Sequence, residues 1–157
     1  MKRALTLLLF PLLLCGCHFD APIYPEPKPL DKALTGIWQH EDGRLIIIPI
    51  GDDHHMIHTP ENDGDGMFYI ASLGQDNLMQ LQIVASSDEV PDEIDSPYTL
   101  VHYTIKNDTL TYRVIEPKAF KGKETPAAVR AHIEASSDDL LSLFGDETMT
   151  FKRYVHK

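Results

Sequence analysis

From Leu34 onward, apolar and polar residues alternate with a period of two over most of the chain. In "NLMQLQIV", Met79, Leu81 and Ile83 share one face against Gln80 and Gln82, while Leu78 and Val84 break the alternation at its ends. In "TLTYRVIE", Leu110, Tyr112 and Val114 alternate with Thr111, Arg113 and Ile115, and Lys106-Asn107-Asp108 joins this stretch to "YTLVHYTI" as a hairpin. "GIWQHE" and "RLIIIPI" flank Asp42-Gly43, a strong hairpin turn signal, with Pro49 marking an edge or bulge. "HHMIHT", "MFYIASL" ahead of Gly74-Gln75-Asp76, and the final "TMTFKRYV" complete the strand pattern. One late stretch switches period. Thr125 followed by Pro126 reads as an N-cap with proline at the first helical position, and Val129, His132 and Ile133 form a narrow helical face. Ser137-Asp138 can cap a second short helix carrying Leu140, Leu141, Leu143 and Phe144, stopped by Gly145. The expectation is a mainly β protein: an antiparallel up-and-down barrel or sandwich of about eight strands, with a short helical segment before the last strand. Its inward positions are expected at Leu45, Ile47, Phe68, Ile70, Leu81, Val101, Tyr103, Leu110 and Tyr112, large enough together to fill a small barrel.

The first residues follow another logic. Lys2 and Arg3 precede an almost wholly apolar run, Leu5 to Leu14, and then the small Gly16. That is the layout of a secretory signal. The run is too short to span a bilayer, which takes roughly 20 residues. Pro11 inside it, and Pro22, Pro25, Pro27 and Pro29 after it, argue against a buried helix. The chain's two cysteines, Cys15 and Cys17, are separated by one residue. A disulfide between them would close a very tight ring, and a metal site would need further ligands. Leu14-Cys15-Gly16-Cys17 resembles the lipobox of bacterial lipoproteins. The resemblance implies cleavage between Gly16 and Cys17, acylation of Cys17 and loss of Cys15 with the signal. In enterobacterial-type sorting, His18 in place of Asp implies the outer membrane.

That reading divides the chain into a lipoprotein signal peptide (1–16), a lipid-anchored Pro-rich tether (17–33) and a β-domain (34–157). Residues 18–33, if extended at about 3.1 Å each, would hold the domain up to roughly 50 Å from the bilayer. The alternative is an ordered strand laid on the domain, for which Ile23 and Tyr24 are suited. Loss of Lys2 and Arg3 with the signal leaves 12 basic residues against 24 acids, a net charge of −12 with histidines neutral. Nucleic acid and anionic headgroups would repel so acidic a body, so membrane attachment is expected through lipid alone. With Cys17 acylated, the core must be stable without disulfides.

Gly36-Ile37-Trp38, at the head of the first strand, resembles the Gly-x-Trp signature of lipocalins and lipocalin-like bacterial lipoproteins. The resemblance implies that Trp38 closes one end of the barrel beneath an arginine from the last strand, for which Arg153 is the candidate.

Candidate chemistry is sparse. His54, His55 and His58 lie near Asp52 and Asp53, but on a strand His54 and His58 would be some 13 Å apart, too far to share one zinc. These histidines are expected to be solvated. Glu61, Asp63, Asp65 and Gly66 imitate the start of a calcium loop, yet Ser72 stands where a bidentate glutamate belongs. Asp88, Glu89, Asp92, Glu93 and Asp95 read as a solvated acidic loop. Nucleophile-elbow, His-Glu-x-x-His and phosphate-loop motifs do not occur. The expectation is therefore a non-enzymatic protein without cofactor, metal or catalytic residues. Two functions compete: an accessory or protein-interaction domain docking an envelope partner, and a lipocalin-like binder of a small apolar ligand.

Overall fold

The computed structural model describes residues 19–29, 31–41, 43–60, 66–86, 98–123 and 125–155. Eight strands follow in chain order: β1 (Gly36–His40), β2 (Gly43–Ile50), β3 (His54–Pro60), β4 (Gly66–Leu73), β5 (Leu78–Ser86), β6 (Tyr98–Lys106), β7 (Thr109–Val114) and β8 (Met149–Arg153). Each is antiparallel to the next, and β8 pairs back onto β1 through Trp38↔Arg153 and Gln39↔Lys152, closing an up-and-down barrel. The expected fold class is the observed one, and β1–β8 pairing decides between the two architectures the alternation allowed. Closure leaves no unpaired strand edge among these eight.

Turn chemistry sets the registers. Asp76 and Asn77 join β4 to β5 with positive φ (50° and 59°), as do Asn107 and Asp108 between β6 and β7 (50° and 57°). Two consecutive left-handed residues match the right-handed twist of the flanking strands, and Asn and Asp tolerate that conformation at low cost.

The barrel interior holds Trp38, Leu45, Ile47, Ile57, Tyr69, Ala71, Leu81, Val101, Leu110, Tyr112 and Phe151, all buried. Two expected inward residues face outward instead. β4 alternates without a break, sending Met67, Tyr69, Ala71 and Leu73 towards the core, while Phe68 and Ile70 lie outside; the irregularity between Phe68 and Tyr69 skips Val84 on β5. Phe68 there stacks on His58 at 4.2 Å between ring centroids. "MFYIASL" is apolar on both faces, so alternation alone does not choose between them.

The late helical segment forms a second core on the outside. α1 (Pro126–Ala135) is capped by the Thr125 hydroxyl, which accepts the Ala128 N–H at 3.2 Å, and it buries Val129 and Ile133. A 3₁₀ stretch, Ser137–Leu143, adds Leu143, and a 3₁₀ turn at Pro117–Phe120 adds Phe120. These residues cover Leu78 of β5 and Leu100 of β6, both outward-facing yet wholly buried. No helix among the described residues is long and apolar enough to cross a membrane.

The stretch expected as a free tether also belongs to this second core. Phe19 exchanges backbone hydrogen bonds with Tyr98 (2.7 and 3.1 Å), and the Lys28 N–H donates to the Leu73 carbonyl at 2.9 Å. Between them Ile23 is fully buried. The Gln80 side-chain oxygen accepts the amides of Ile23 and Tyr24, and Arg130 donates to the Ile23 carbonyl. Residues 19–29 are thus a strap along the barrel wall, and among the described residues the folded unit begins at Phe19, not at Leu34. The reason is burial: the apolar outer surfaces of Leu78 and Leu100 need a cover, and Ile23 provides it.

Candidate functional site

The end of the barrel where β1 begins and β8 finishes is closed by the chain itself. Residues 31–35 cross it as a turn, with the Leu34 N–H donating to the Asp31 carbonyl at 3.0 Å. The Asp31 carboxylate accepts the Ala33 amide at 2.9 Å and the Tyr103 hydroxyl at 3.2 Å, which fastens the turn to β6. Beneath the turn, Trp38 is fully buried and its indole N–H donates to the Leu34 carbonyl at 2.7 Å. Arg153 closes the arrangement from β8. Its guanidinium carbon lies 4.1 Å from the centre of the Trp38 ring. The same group donates to the Thr35 carbonyl at 2.8 Å, the Ala33 carbonyl at 2.6 Å and the Asp108 carboxylate at 3.1 Å.

Gly36 completes the set. Its φ is +138°, and a Cβ there would stand 2.9 Å from an Arg153 nitrogen. Only glycine combines that backbone conformation with the space the guanidinium occupies. The three residues paired on sequence grounds, Gly36, Trp38 and Arg153, therefore form one structural unit, and all their contacts serve to seal a barrel end.

The interior is full. The space left among Leu45, Ile57, Thr59, Met79, Leu110, Tyr112 and their neighbours is about 30 Å³. A cavity of that size holds a water or two, whereas small-molecule pockets run to roughly 300–1,000 Å³. Burial pushes the Tyr69 phenol up to about 12 and raises Tyr103 and Tyr112 as well, so these interior hydroxyls stay neutral. Tyr69 and Tyr112 fill the interior, while the Tyr103 hydroxyl holds Asp31.

The histidines separate. His54 and His58 face outward on β3, and His55 faces inward, wholly buried rather than solvated as expected. Neither ring nitrogen of His55 has a hydrogen-bond partner among the described residues. Burial holds its pKa below the ordinary value, an effect that nearby Asp31 partly opposes. The folded barrel therefore binds the His55 proton less readily than the unfolded chain. Stability conferred by the neutral ring is complete above about pH 6.5 and declines as pH falls below it, until the folded ring itself titrates. Each unit of depression is worth about 1.4 kcal/mol. In urea denaturation at about pH 7.5 and about pH 5, the His55→Phe chain is expected to lose less stability than the parent. Equal losses would assign the acid sensitivity to other groups.

Outside the barrel, an open depression of about 520 Å³ at the closed end is lined by Pro29, Lys32, Thr35, Pro49, Gly51 and Asp52. One cation and one carboxylate do not make a catalytic constellation. Among the described residues no group of three or more His, Cys, Asp or Glu is placed to hold a metal ion. The lipobox residues Leu14, Cys15, Gly16 and Cys17, the calcium-like stretch 61–65 and the acidic stretch 88–95 lie outside the described residues.

Sequence reasoning placed Tyr103 inside and kept Ile23 as part of an alternative strand on the domain, but it missed Asp31, the Tyr103–Asp31 bond and the part Gln80 plays in holding the strap. A signal for the strap was present in Leu78 and Leu100, apolar residues at positions where the alternation calls for polar ones. Comparison with protein-family profiles, with curated proteins and with solved structures found no match.

Proposed function

We propose that this chain is a lipid-anchored lipoprotein of the bacterial cell envelope, held in the outer membrane by acylated Cys17, and that its β-domain is a non-enzymatic accessory or protein-interaction module. The observation carrying the second half is the filled barrel. With about 30 Å³ of free space in the interior formed by the described residues, the domain has an outer surface to offer rather than an inner site. The anchor is supported by the Leu14-Cys15-Gly16-Cys17 lipobox after a short apolar run, and by an acidic body that anionic headgroups repel. No nucleic-acid partner is proposed, for the same electrostatic reason.

The competing reading, a lipocalin-like carrier of a small apolar ligand, draws on the closed eight-strand barrel and on Trp38 beneath Arg153. It would require the packed interior to open. Titration of the protein with fluorescent fatty acids separates the two: the accessory reading expects no saturable binding. Micromolar binding abolished by Leu81→Trp would replace it with the carrier reading.

The anchor has its own test. Cys17→Ser in the full chain is expected to leave an uncleaved precursor that incorporates no radiolabelled fatty acid. Equal labelling of parent and variant would refute the anchor.

A further inference from the structure

Beside the turn that closes the barrel end lies a titratable group the seal does not use. His55 is wholly buried, and neither ring nitrogen has a hydrogen-bond partner among the described residues. The register seats it between Pro49 of β2 and Ala71 of β4, neither of which carries a charge. Buried polar groups are ordinarily paired, so an unpaired imidazole calls for a reason. The charged and titratable groups around it come from three elements. From the turn, Asp31 favours the charged ring through both its backbone and its carboxylate, while His54 on β3 itself opposes that charge. His54 is in turn held by the Asp53 carboxylate at 2.6 Å. From β6, Tyr103 acts through Asp31, to which its hydroxyl donates.

We propose that His55, Asp31 and Tyr103 form an acid-sensitive latch, in which protonation of the buried ring lifts the turn 31–35 and unseals this end of the barrel while the strands stay paired. A neutral ring fits the sealed end. An imidazolium there has two N–H donors and no acceptor. The Asp31 carboxylate is already committed to the Ala33 amide at 2.9 Å and the Tyr103 hydroxyl at 3.2 Å. To reach the ring it must release one of them, and these bonds hold the turn down. Otherwise water must enter, which also requires the turn to move. Either way the open form binds the proton more tightly than the sealed one, so acid populates it. The Arg153 bonds to the Ala33 and Thr35 carbonyls resist the movement and keep the latch shut near neutrality.

Histidine is the side chain whose charge ordinarily changes between about pH 5 and about pH 8. Burial, the largest influence on His55, holds its pKa below the ordinary 6.5. With 6.5 for the hydrated ring of the open form, a fall from about pH 7.5 to about pH 5 multiplies the ratio of open to sealed forms by up to about thirtyfold. What opens is Leu34, now fully buried, and the indole N–H of Trp38, whose acceptor is the Leu34 carbonyl. An apolar face at this end is therefore offered in acid and withdrawn at neutral pH.

The test is amide hydrogen exchange of the full chain, read as protection factors at about pH 7.5 and about pH 5. The Ala33 and Leu34 amides, both bonded to Asp31, are expected to be less protected than the amides of β7 at either pH. Their protection should fall by between about threefold and about thirtyfold in acid. His55→Phe should abolish the fall, and His55→Gln supplies the same comparison where the larger ring fails to fold. His54→Gln, on the outward face of β3, should keep it. Protection at the turn equal to that of β7 would overturn the proposal, because the end would then open only with the whole barrel. So would a turn insensitive to acid, a fall that persists without His55, or one that disappears with His54.

Discussion

Trp38→Ala is expected to lower the free energy of unfolding by about 3–5 kcal/mol, the cost of deleting a large buried aromatic. The indole is wholly buried and holds two separate parts of the closed end. Its N–H fixes the Leu34 carbonyl, and its face carries the Arg153 guanidinium. Alanine would leave that carbonyl without its donor and the guanidinium above a void. Because small domains total about 5–15 kcal/mol, such a loss consumes a large share of the fold's stability. Urea denaturation followed by far-ultraviolet circular dichroism measures it. A loss under about 1 kcal/mol would mean that the end is not sealed by the indole.

The second large effect lies at the other core. A chain beginning at Leu34, the boundary suggested by composition, is expected to lose its cooperative thermal transition. It would expose Leu78 and Leu100, now fully buried, and strip the Gln80 side chain of its two amide donors. The single substitution Ile23→Ala should cost about 2–5 kcal/mol, within the range for a large-to-small core change. Melting of the shortened chain within about 5 °C of the longer one would show that the strap is dispensable.

These two cores differ in how readable they are. The barrel strands were legible because Leu110, Tyr112 and Met79, Leu81, Ile83 repeat every second residue, and because Asn107-Asp108 suits a tight turn. Gly36, Trp38 and Arg153 were legible through a resemblance, and the structure joins them through a cation over a ring. The strap was legible only as one of two alternatives. Four prolines in sixteen residues describe a chain that cannot form a helix, but an extended segment is equally suited to solvent and to a barrel wall. What decides is Leu78 and Leu100, far away in sequence. The inward face of β4 was hidden because "MFYIASL" is apolar on both sides, and His55 depended on the register that carries it inside; neither leaves a local trace.

The pairing of Phe19 with Tyr98 has a consequence for how such a domain meets anything at all. A body on a long flexible arm samples many orientations and surrenders that freedom each time it binds, a cost counted in kilocalories. If Cys17 is held by acyl chains, two residues from Phe19, most of that orientational entropy is given up once, when the anchor inserts. Every later encounter then begins with the barrel already aimed.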